Sequence, residues 1–314
     1  MLSKYLNKVD FDILHTTGAL IYLARNNKHK RVHSKALIEV YDLESIYDTN
    51  ILKLIIKRVS YSIIGYYFLF RRALDNADKI IVEDPIQREK LIKFYSRIKN
   101  KIVYLPTGVD TETINDIILN SPLDRSRYGF HDDDFIIVSV NRFYEHKGLN
   151  YLIDAYKIIK DKIKNAKLLL IGGSGPYLPN IISQIKTLGG LKLNDDVRIM
   201  MNIPYDELVR LLAISDVYVN PVLMEGTSNS VLDAAACGLP IISTNMPWIV
   251  HNGINGFLIP PRNANAIASA ILQIYDKGLQ KIMGKVSRDI ARRYDWINIA
   301  KIAVGIYEEV LNEE

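Results

Sequence analysis

Short apolar runs alternate with longer amphipathic stretches along most of the chain. In the second half, runs rich in Ile, Val and Leu predict strands near 134–140, 167–172, 197–201, 216–219, 240–243 and 256–259. Helical spacing between these runs predicts helices near 148–163, 177–188, 205–213, 229–237 and 264–276. Strands without a polar face are typical of parallel sheets that helices cover on both sides. The second half is therefore predicted to be a doubly wound α/β domain.

The first half repeats this pattern with fewer units. Its predicted strands lie near 11–15, 36–40, 79–83 and 101–105, and its predicted helices lie near 51–75 and 85–97. The polar stretch 121–134 contains Pro and Gly and predicts a hinge. With 314 residues, the chain fits two domains, 1–125 and 126–295. An amphipathic helix near 296–312 predicts that 296–314 packs back towards the first domain.

Composition places the chain among ordinary globular proteins. Hydrophobic residues make up 48% and charged residues 24%, which excludes disordered, collagen-like and membrane-spanning classes. The N-terminus lacks the apolar core and cleavage site of a signal peptide. The single cysteine, Cys237, cannot form an intramolecular disulfide. We therefore expect a cytoplasmic protein.

Positive charge is concentrated in the first third of the chain. Residues 1–101 contain 19 Lys and Arg against 11 Asp and Glu, a net charge of +8, whereas the remainder has a net charge of −3. Nucleic-acid-binding signatures are missing, so we expect no nucleic acid partner. A phosphate-bearing substrate or an anionic membrane surface explains the positive charge at least as well as nucleic acid would.

The apolar run VSYSIIGYYFLF, within residues 51–75, also concerns membranes. Its twelve uncharged residues are too few for a spanning helix, which needs about 20. The run predicts either a buried helix or an interfacial helix that directs Tyr66, Tyr67 and Phe68 towards lipid. The second alternative would place the protein peripherally on the inner face of the membrane.

The strongest candidate site lies in NPVLMEGTSNSVLDAAACGLP, residues 220–240. A strand here turns through Gly226 into a helix, and the start of a helix is a natural site for phosphate. The first turn offers four polar side chains: Thr227, Ser228, Asn229 and Ser230. Glu225 and Asp233 flank this turn, and carboxylates there suit the recognition of sugar or ribose hydroxyls. The alternative is that Ser228 is only an N-cap and Asp233 a solvated helix residue.

Two further loops follow predicted strands. Arg142 and Lys147 lie in NRFYEHKG, at the strand end where open α/β sheets bind ligands, and could neutralise a diphosphate. Each is alternatively a solvated loop charge. Gly173, in IGGSGPYL, permits close approach of backbone to a ligand. His15 ends a strand and serves either packing or acceptor contact.

Taken together, these segments resemble the retaining family 4 glycosyltransferases of GT-B architecture. The similarity covers roughly residues 10–312. It includes IVEDPIQREKLIKFYSRIKNKIVYLPTGVDTETI at 81–114, VNRFYEHKGLNYLIDAY, GGSGP at 172–176, the Glu-x7-Glu-like segment 225–233, and GINGFLIPPRN at 253–263. The resemblance implies two Rossmann-like domains that face a cleft, with a truncated N-terminal domain.

The resemblance also implies roles for individual residues. Arg142 and Lys147 would hold the donor diphosphate together with amides around 227–230, and Glu225 would contact donor sugar hydroxyls. Asp233, one methylene shorter than the usual Glu, would bind the ribose. The base would lie near Met200, Met201 and Asn202. Tyr41 stands where family members usually carry a His, and Trp248 replaces an acid near the sugar site.

The function implied is retaining transfer of a hexose from a UDP- or GDP-sugar to a hydroxyl acceptor, without a metal or other cofactor. The acceptor would be a saccharide or lipid-linked. Three alternatives remain open. In the first, the chain is a donor-binding subunit, and a partner or a homodimer supplies its missing N-terminal elements. In the second, it is an inactive nucleotide-sugar-binding module. In the third, it is a metal-dependent transferase that uses Asp132–Asp134.

Overall fold

The structure is a computed structural model that describes residues 13–17, 30–34, 71–72, 74–121, 123–223, 228–244 and 246–312. The chain divides into two compact units, Met1–Thr107 with Ile297–Glu314, and Gly108–Trp296. The predicted strand 36–40 and most of the predicted helix 51–75 lie outside the described residues. Among the residues described, no helix combines the length and the hydropathy needed to cross a bilayer.

The first unit contains a four-stranded parallel sheet in the order β1-β2-β3-β4. Its strands are β1 (Ile13–Thr17), β2 (Lys30–Ser34), β3 (Lys79–Val82) and β4 (Ile102–Tyr104). The sequence predicted β3 and β4, placed β1 two residues too early, and missed β2, whose sequence KRVHS has no apolar run. Helix α1 (Pro85–Phe94) starts at Asp84, whose carboxylate accepts a hydrogen bond from Gln87 N at 2.8 Å.

The second unit contains a six-stranded parallel sheet in the order β10-β9-β8-β5-β6-β7. The strands are β5 (Phe135–Val140), β6 (Ala166–Gly172), β7 (Val197–Met201), β8 (Val217–Asn220), β9 (Ile241–Ser243) and β10 (Gly256–Leu258). All six were predicted. The α/β class with parallel sheets is thereby confirmed.

Nine regular helices have both ends within the described residues, and those after α1 are numbered along the chain. They are α2 (Thr111–Leu119), α3 (Leu149–Lys162), α4 (Leu178–Thr187), α5 (Tyr205–Ala213), α6 (Asn229–Ala236), α7 (Ala264–Asp276), α8 (Gln280–Ala291) and α9 (Trp296–Asn312). The sequence analysis missed α2 and α8.

Alternate side chains of β5 enter two hydrophobic clusters. Phe135 and Ile137 pack with α3 and α7 on one face, and Ile136 and Val138 pack with α5 and α6 on the other. All four are buried, which explains why the strand has no polar alternation. The sheet is therefore covered on both sides, as predicted for a doubly wound domain.

The boundary between the units lies at 107/108, whereas the sequence predicted 125/126. Residues 108–125 belong to the second unit because Val109 and Ile114, both buried, join one of its clusters. Val109 also pairs with the end of the same unit: its N–H donates to Tyr294 O at 2.8 Å, and its carbonyl accepts from Trp296 N at 3.1 Å. The predicted hinge 121–134 thus lies inside the second unit.

Residues of α9 belong to the first unit. Val310 is fully buried and clusters with Ile81 of β3. The ammonium of Lys79 forms an ion pair with Glu309 at 2.9 Å, and the Lys79 side chain is nearly buried. The end of the chain is therefore part of the core of the unit that contains its beginning.

Candidate active site

The site is set by the order of the strands in the second unit. From β5 the chain proceeds through β6 and β7 on one side of the sheet, and then returns to place β8, β9 and β10 on the other side. In open α/β sheets, such a reversal leaves a crevice at the carboxyl ends of the two strands where it occurs. The loop after β5, which carries Arg142 and Lys147, and the described part of the loop between β8 and α6 therefore flank this crevice.

The loop after β5 presents two cations. Arg142 is exposed and Lys147 is half-buried. Gly148, with φ of +66°, precedes α3 and is backed so closely by the carbonyl of Pro221 that a Cβ there would overlap it. The N–H of Leu223 donates to His146 O at 2.8 Å. These contacts fix the β5 loop against the β8 loop.

The loops after β5, β6 and β7 meet at glycines. A Cβ on Gly172 or Gly175 would overlap the carbonyl oxygens of Asn141 and Phe143, so only glycine allows this approach. A Cβ on Gly173 would lie 3.7 Å from Asn202 Oδ1 and 3.8 Å from Arg142 Cγ. The structure thus brings together Arg142, Gly173 and Asn202, three residues that the sequence had singled out separately.

The start of α6 is tied to the carboxyl end of β5. Ser230 Oγ donates to Val140 O at 3.1 Å, and it also lies 2.7 Å from the hydroxyl of Tyr218. Ser228 is the N-cap residue, but its hydroxyl pairs with Ser230 Oγ at 3.0 Å and makes no capping bond. The first turn of α6 is therefore held beside the β5 loop, with its backbone N–H groups uncapped by Ser228. The sequence analysis missed Tyr218.

Asp233 lies one turn into α6 and is half-buried, so the solvated alternative for this residue is wrong. The hydroxyl of Tyr205, the first residue of α5, donates to Asp233 Oδ1 at 3.0 Å. Burial raises the pKa of Asp233 to about 6, although the Tyr205 hydrogen bond acts in the opposite direction. Burial, and then the charge of Asp233, raise the pKa of Tyr205, which keeps this hydroxyl a donor. Tyr205 is a second residue that sequence reasoning missed.

The remaining predicted site residues lie at the end of β7, at the start of α6, in the first unit or outside the described ranges. Met201 ends β7 and is 46% exposed, and Asn202 adopts the left-handed conformation with φ of +53°. Asn229 is exposed at the first helical position of α6. His15 lies in β1 of the first unit, where its backbone pairs with Val32. Glu225, Thr227 and Tyr41 lie outside the described residues.

The described ranges contain no group of three His, Cys, Asp or Glu side chains that could hold a metal ion. The run Asp132–Asp134 immediately precedes β5, so it lies at the amino end of the strand, opposite the crevice. Asp134 is buried, and its carboxylate accepts from His131 N at 2.8 Å. This run therefore has a local role in the turn.

Comparison with known proteins identifies the family. Residues 120–290, more than half of the chain, match the family described as glycosyl transferases group 1. The chain belongs to this family. The match covers β5 to most of α8, and so includes the crevice and both of its loops.

Individual relatives of this group 1 glycosyl transferase cover more of the chain. It is 24% identical to an uncharacterized glycosyltransferase of Methanocaldococcus jannaschii, over 98% of this chain and 77% of the relative. It is 26% identical to the GDP-mannose-dependent alpha-(1-6)-phosphatidylinositol monomannoside mannosyltransferase of Mycobacterium tuberculosis, over 74% of this chain and 62% of the relative. This chain spans only 47% and 42% of the length of two other curated relatives.

The fold is shared with solved glycosyltransferase structures. HepE of Anabaena, solved in complex with UDP, superposes with a TM-score of 0.77 at 17% identity, over 98% of this chain and 82% of that protein. The predicted fold class, α/β of GT-B type, is confirmed by this likeness.

Proposed function

We propose that the chain transfers a hexose from a UDP- or GDP-sugar to a hydroxyl acceptor, with retention of anomeric configuration and without a metal. The observation that carries the proposal is the convergence of Arg142, Gly173 and Asn202 beside the start of α6. Family membership and the activities for which relatives are named support the same function. One relative is named for GDP-mannose, and HepE was solved with UDP.

The diphosphate would lie between the β5 loop and the first turn of α6. Arg142 and Lys147 supply positive side chains, and the helix start supplies backbone N–H groups and the positive end of the helix dipole. Glycines at 172, 173 and 175 leave backbone without side chains beside this position. The arrangement would stabilise the negative charge that develops as the diphosphate leaves, which is usually the largest contribution to catalysis.

The nucleoside would extend towards β7. Asp233 would accept hydrogen bonds from the ribose hydroxyls, and Tyr205 would hold one carboxylate oxygen so that the other faces the ligand. The base would contact backbone at Met201 and Asn202, where the left-handed turn of Asn202 reverses the chain. Glu225 would contact the sugar hydroxyls.

The transfer step would proceed on one face of the sugar. The bond from the anomeric carbon to the diphosphate oxygen breaks as the bond to the acceptor oxygen forms. The proton of the acceptor hydroxyl passes to the departing diphosphate, which leaves as a nucleoside diphosphate. No side-chain base is needed in this scheme, because the leaving group accepts the proton.

The acceptor would bind the first unit. The +8 charge of residues 1–101 suits a phosphate-bearing or lipid-linked acceptor, or an anionic membrane surface at the cytoplasmic face. His15 and Tyr41 are the candidate acceptor contacts in this unit.

Donor binding and transfer test the proposal. Calorimetry with a panel of UDP- and GDP-sugars should find one that binds, and the same donor should yield a glycoside with release of nucleoside diphosphate. Arg142→Ala and Lys147→Ala should each weaken that binding at least tenfold, since a charge-assisted hydrogen bond contributes about 1.5–3 kcal/mol.

The matched control is Lys162→Ala, which removes an exposed charge at the far end of α3 and should leave donor affinity unchanged. Wild-type affinity in both the Arg142 and Lys147 variants would remove these cations from the site. Binding without transfer to any acceptor would instead favour the donor-binding module.

A further inference from the structure

A second group of cations lies on α8, at the other end of α6 from the proposed donor site. An open groove of about 400 Å³ is lined by α8 and by the turn at Gly238. Its lining residues are Gly238, Lys281, Gly284, Lys285, Arg288, Asp289 and Arg292. Gly238 follows the last turn of α6, so the length of that helix, about 12 Å, separates the groove from the crevice.

The four cations of the groove share one face of the helix. Lys281, Lys285, Arg288 and Arg292 have spacings of four, three and four residues, which place them in successive turns. Like charges one turn apart repel each other and destabilise a helix. Among the described residues, the structure records no hydrogen bond or ion pair for the ammonium of Lys281 or Lys285. Neither ammonium group is therefore held by a carboxylate within the described residues.

Arg288 is fixed at the centre of the groove. Its Nε donates to Ala236 O at 3.2 Å and its Nη2 donates to Cys237 O at 3.0 Å. These bonds cancel the negative end of the α6 dipole, which would otherwise repel an anion. A guanidinium has five N–H donors, so Arg288 has further donors for a ligand.

Two glycines allow α8 and the turn to lie close together beside the groove. A Cβ on Gly284 would overlap the carbonyl oxygen of Gly238, so the backbone of α8 lies directly against the turn. A Cβ on Gly238, which has φ of +83°, would lie 2.9 Å from the guanidinium of Arg288. Any larger residue at either position would displace the helix or the arginine.

The single carboxylate of the lining is Asp289. It forms an ion pair with Arg292 at 2.8 Å, and both side chains are more than half exposed. Exposed ion pairs of this kind contribute little, so Arg292 can exchange this partner for a ligand anion. The lining residues then carry a net charge of +3.

We propose that this groove is a binding site for a phosphate-bearing anion, separate from the donor site. A preset guanidinium beside flexible ammonium groups is the combination that proteins use for phosphate, with bidentate bonds from Arg and point charges from Lys. The volume lies within the range of small-ligand sites and fits a diphosphate or a phospholipid headgroup. Free phosphate and a lipid headgroup supply the same chemistry.

The test uses the full chain carrying Arg142→Ala and Lys147→Ala, so that anion binding at the proposed donor site does not contribute. Inorganic pyrophosphate is titrated by calorimetry into this protein, and then into the same protein with Lys281→Ala and Lys285→Ala added. The expected result is binding that weakens at least tenfold in the second protein. Alanine is the best helix former, so these exposed substitutions should preserve α8. If the alanine substitutions disrupt α8, the double variant Lys281→Gln and Lys285→Gln replaces them.

The matched control adds Lys162→Ala and Lys164→Ala instead, which removes two exposed lysines at the end of α3. A second arm sediments the same proteins with vesicles of phosphatidylcholine, with or without phosphatidylglycerol. Loss of pyrophosphate binding only in the Lys281 and Lys285 variant supports a soluble phosphate ligand. If none of the proteins binds pyrophosphate and only that variant loses binding to anionic vesicles, the ligand of the groove is a lipid headgroup. Equal behaviour of the two lysine pairs in both arms overturns the proposal.

Discussion

Replacement of Asp233 by Asn should make the protein more stable at neutral pH. The pKa of this carboxyl is about 6 in the folded protein, against 3.8 for a solvated aspartate. The folded state therefore binds the proton more tightly than the unfolded state, so stability falls as pH rises from 3.8 to about 6 and stays at the lower level above pH 6. At 1.36 kcal/mol for each pH unit, the ceiling is about 3 kcal/mol. Because Asp233 is only half-buried, we expect about 1–2 kcal/mol.

The pH dependence gives the sign of the effect. The free energy of unfolding of the wild type should fall as pH rises from about 4 to about 6, and this contribution should be absent in Asp233→Asn. Asn retains an oxygen that can accept from Tyr205, so the contact itself survives. The neighbouring thiol of Cys237 stays neutral throughout, because burial raises its pKa.

Urea unfolding at several pH values, followed by tryptophan fluorescence, measures the difference. Asp132→Asn removes the same charge at an exposed position and controls for net charge. The reasoning is refuted if Asp233→Asn is no more stable than Asp132→Asn at pH 7.5. If Asp233 also binds ribose, the stabilised variant should lose donor affinity, which is the usual relation between stability and function at a binding site.

Two further predictions concern metals and glycines. Turnover should persist in excess EDTA, since Arg142, Lys147 and the start of α6 would supply the positive charge; activity that EDTA abolishes and Mn²⁺ or Mg²⁺ restores would contradict this. Gly172→Ala should lower the free energy of unfolding by about 1–3 kcal/mol, because its Cβ overlaps Asn141 O. Gly305→Ala, in α9 with open space around it, should raise it by about 0.5–1 kcal/mol, and urea midpoints compare the two. A Gly172 variant as stable as the wild type would show that the loops can separate.

The sequence predicted the second sheet well because its strands are marked locally by unbroken apolar runs. It missed α8 because QKIMGKVSRDIA, the sequence of this helix, carries more polar than apolar positions. The loop of Arg142 and Lys147 was predicted from a general rule on strand ends. Tyr205 and Tyr218 were missed because their contacts, with Asp233 and Ser230, join residues 28 and 12 positions apart on different elements. Such pairings depend on the three-dimensional packing, which no local pattern records.

The pairing of Val109 with residues 294–296 has a consequence for the order of folding. The chain enters and leaves the second unit at one point, where two backbone hydrogen bonds close it. Synthesis therefore delivers this unit complete once Trp296 has been made. The first unit is interrupted in sequence, and its contacts Lys79–Glu309 and Ile81–Val310 form only after residues 309 and 310 have been made. During translation, the second unit is therefore complete first, and the earlier-made sheet lacks these contacts until residues 309 and 310 have been made.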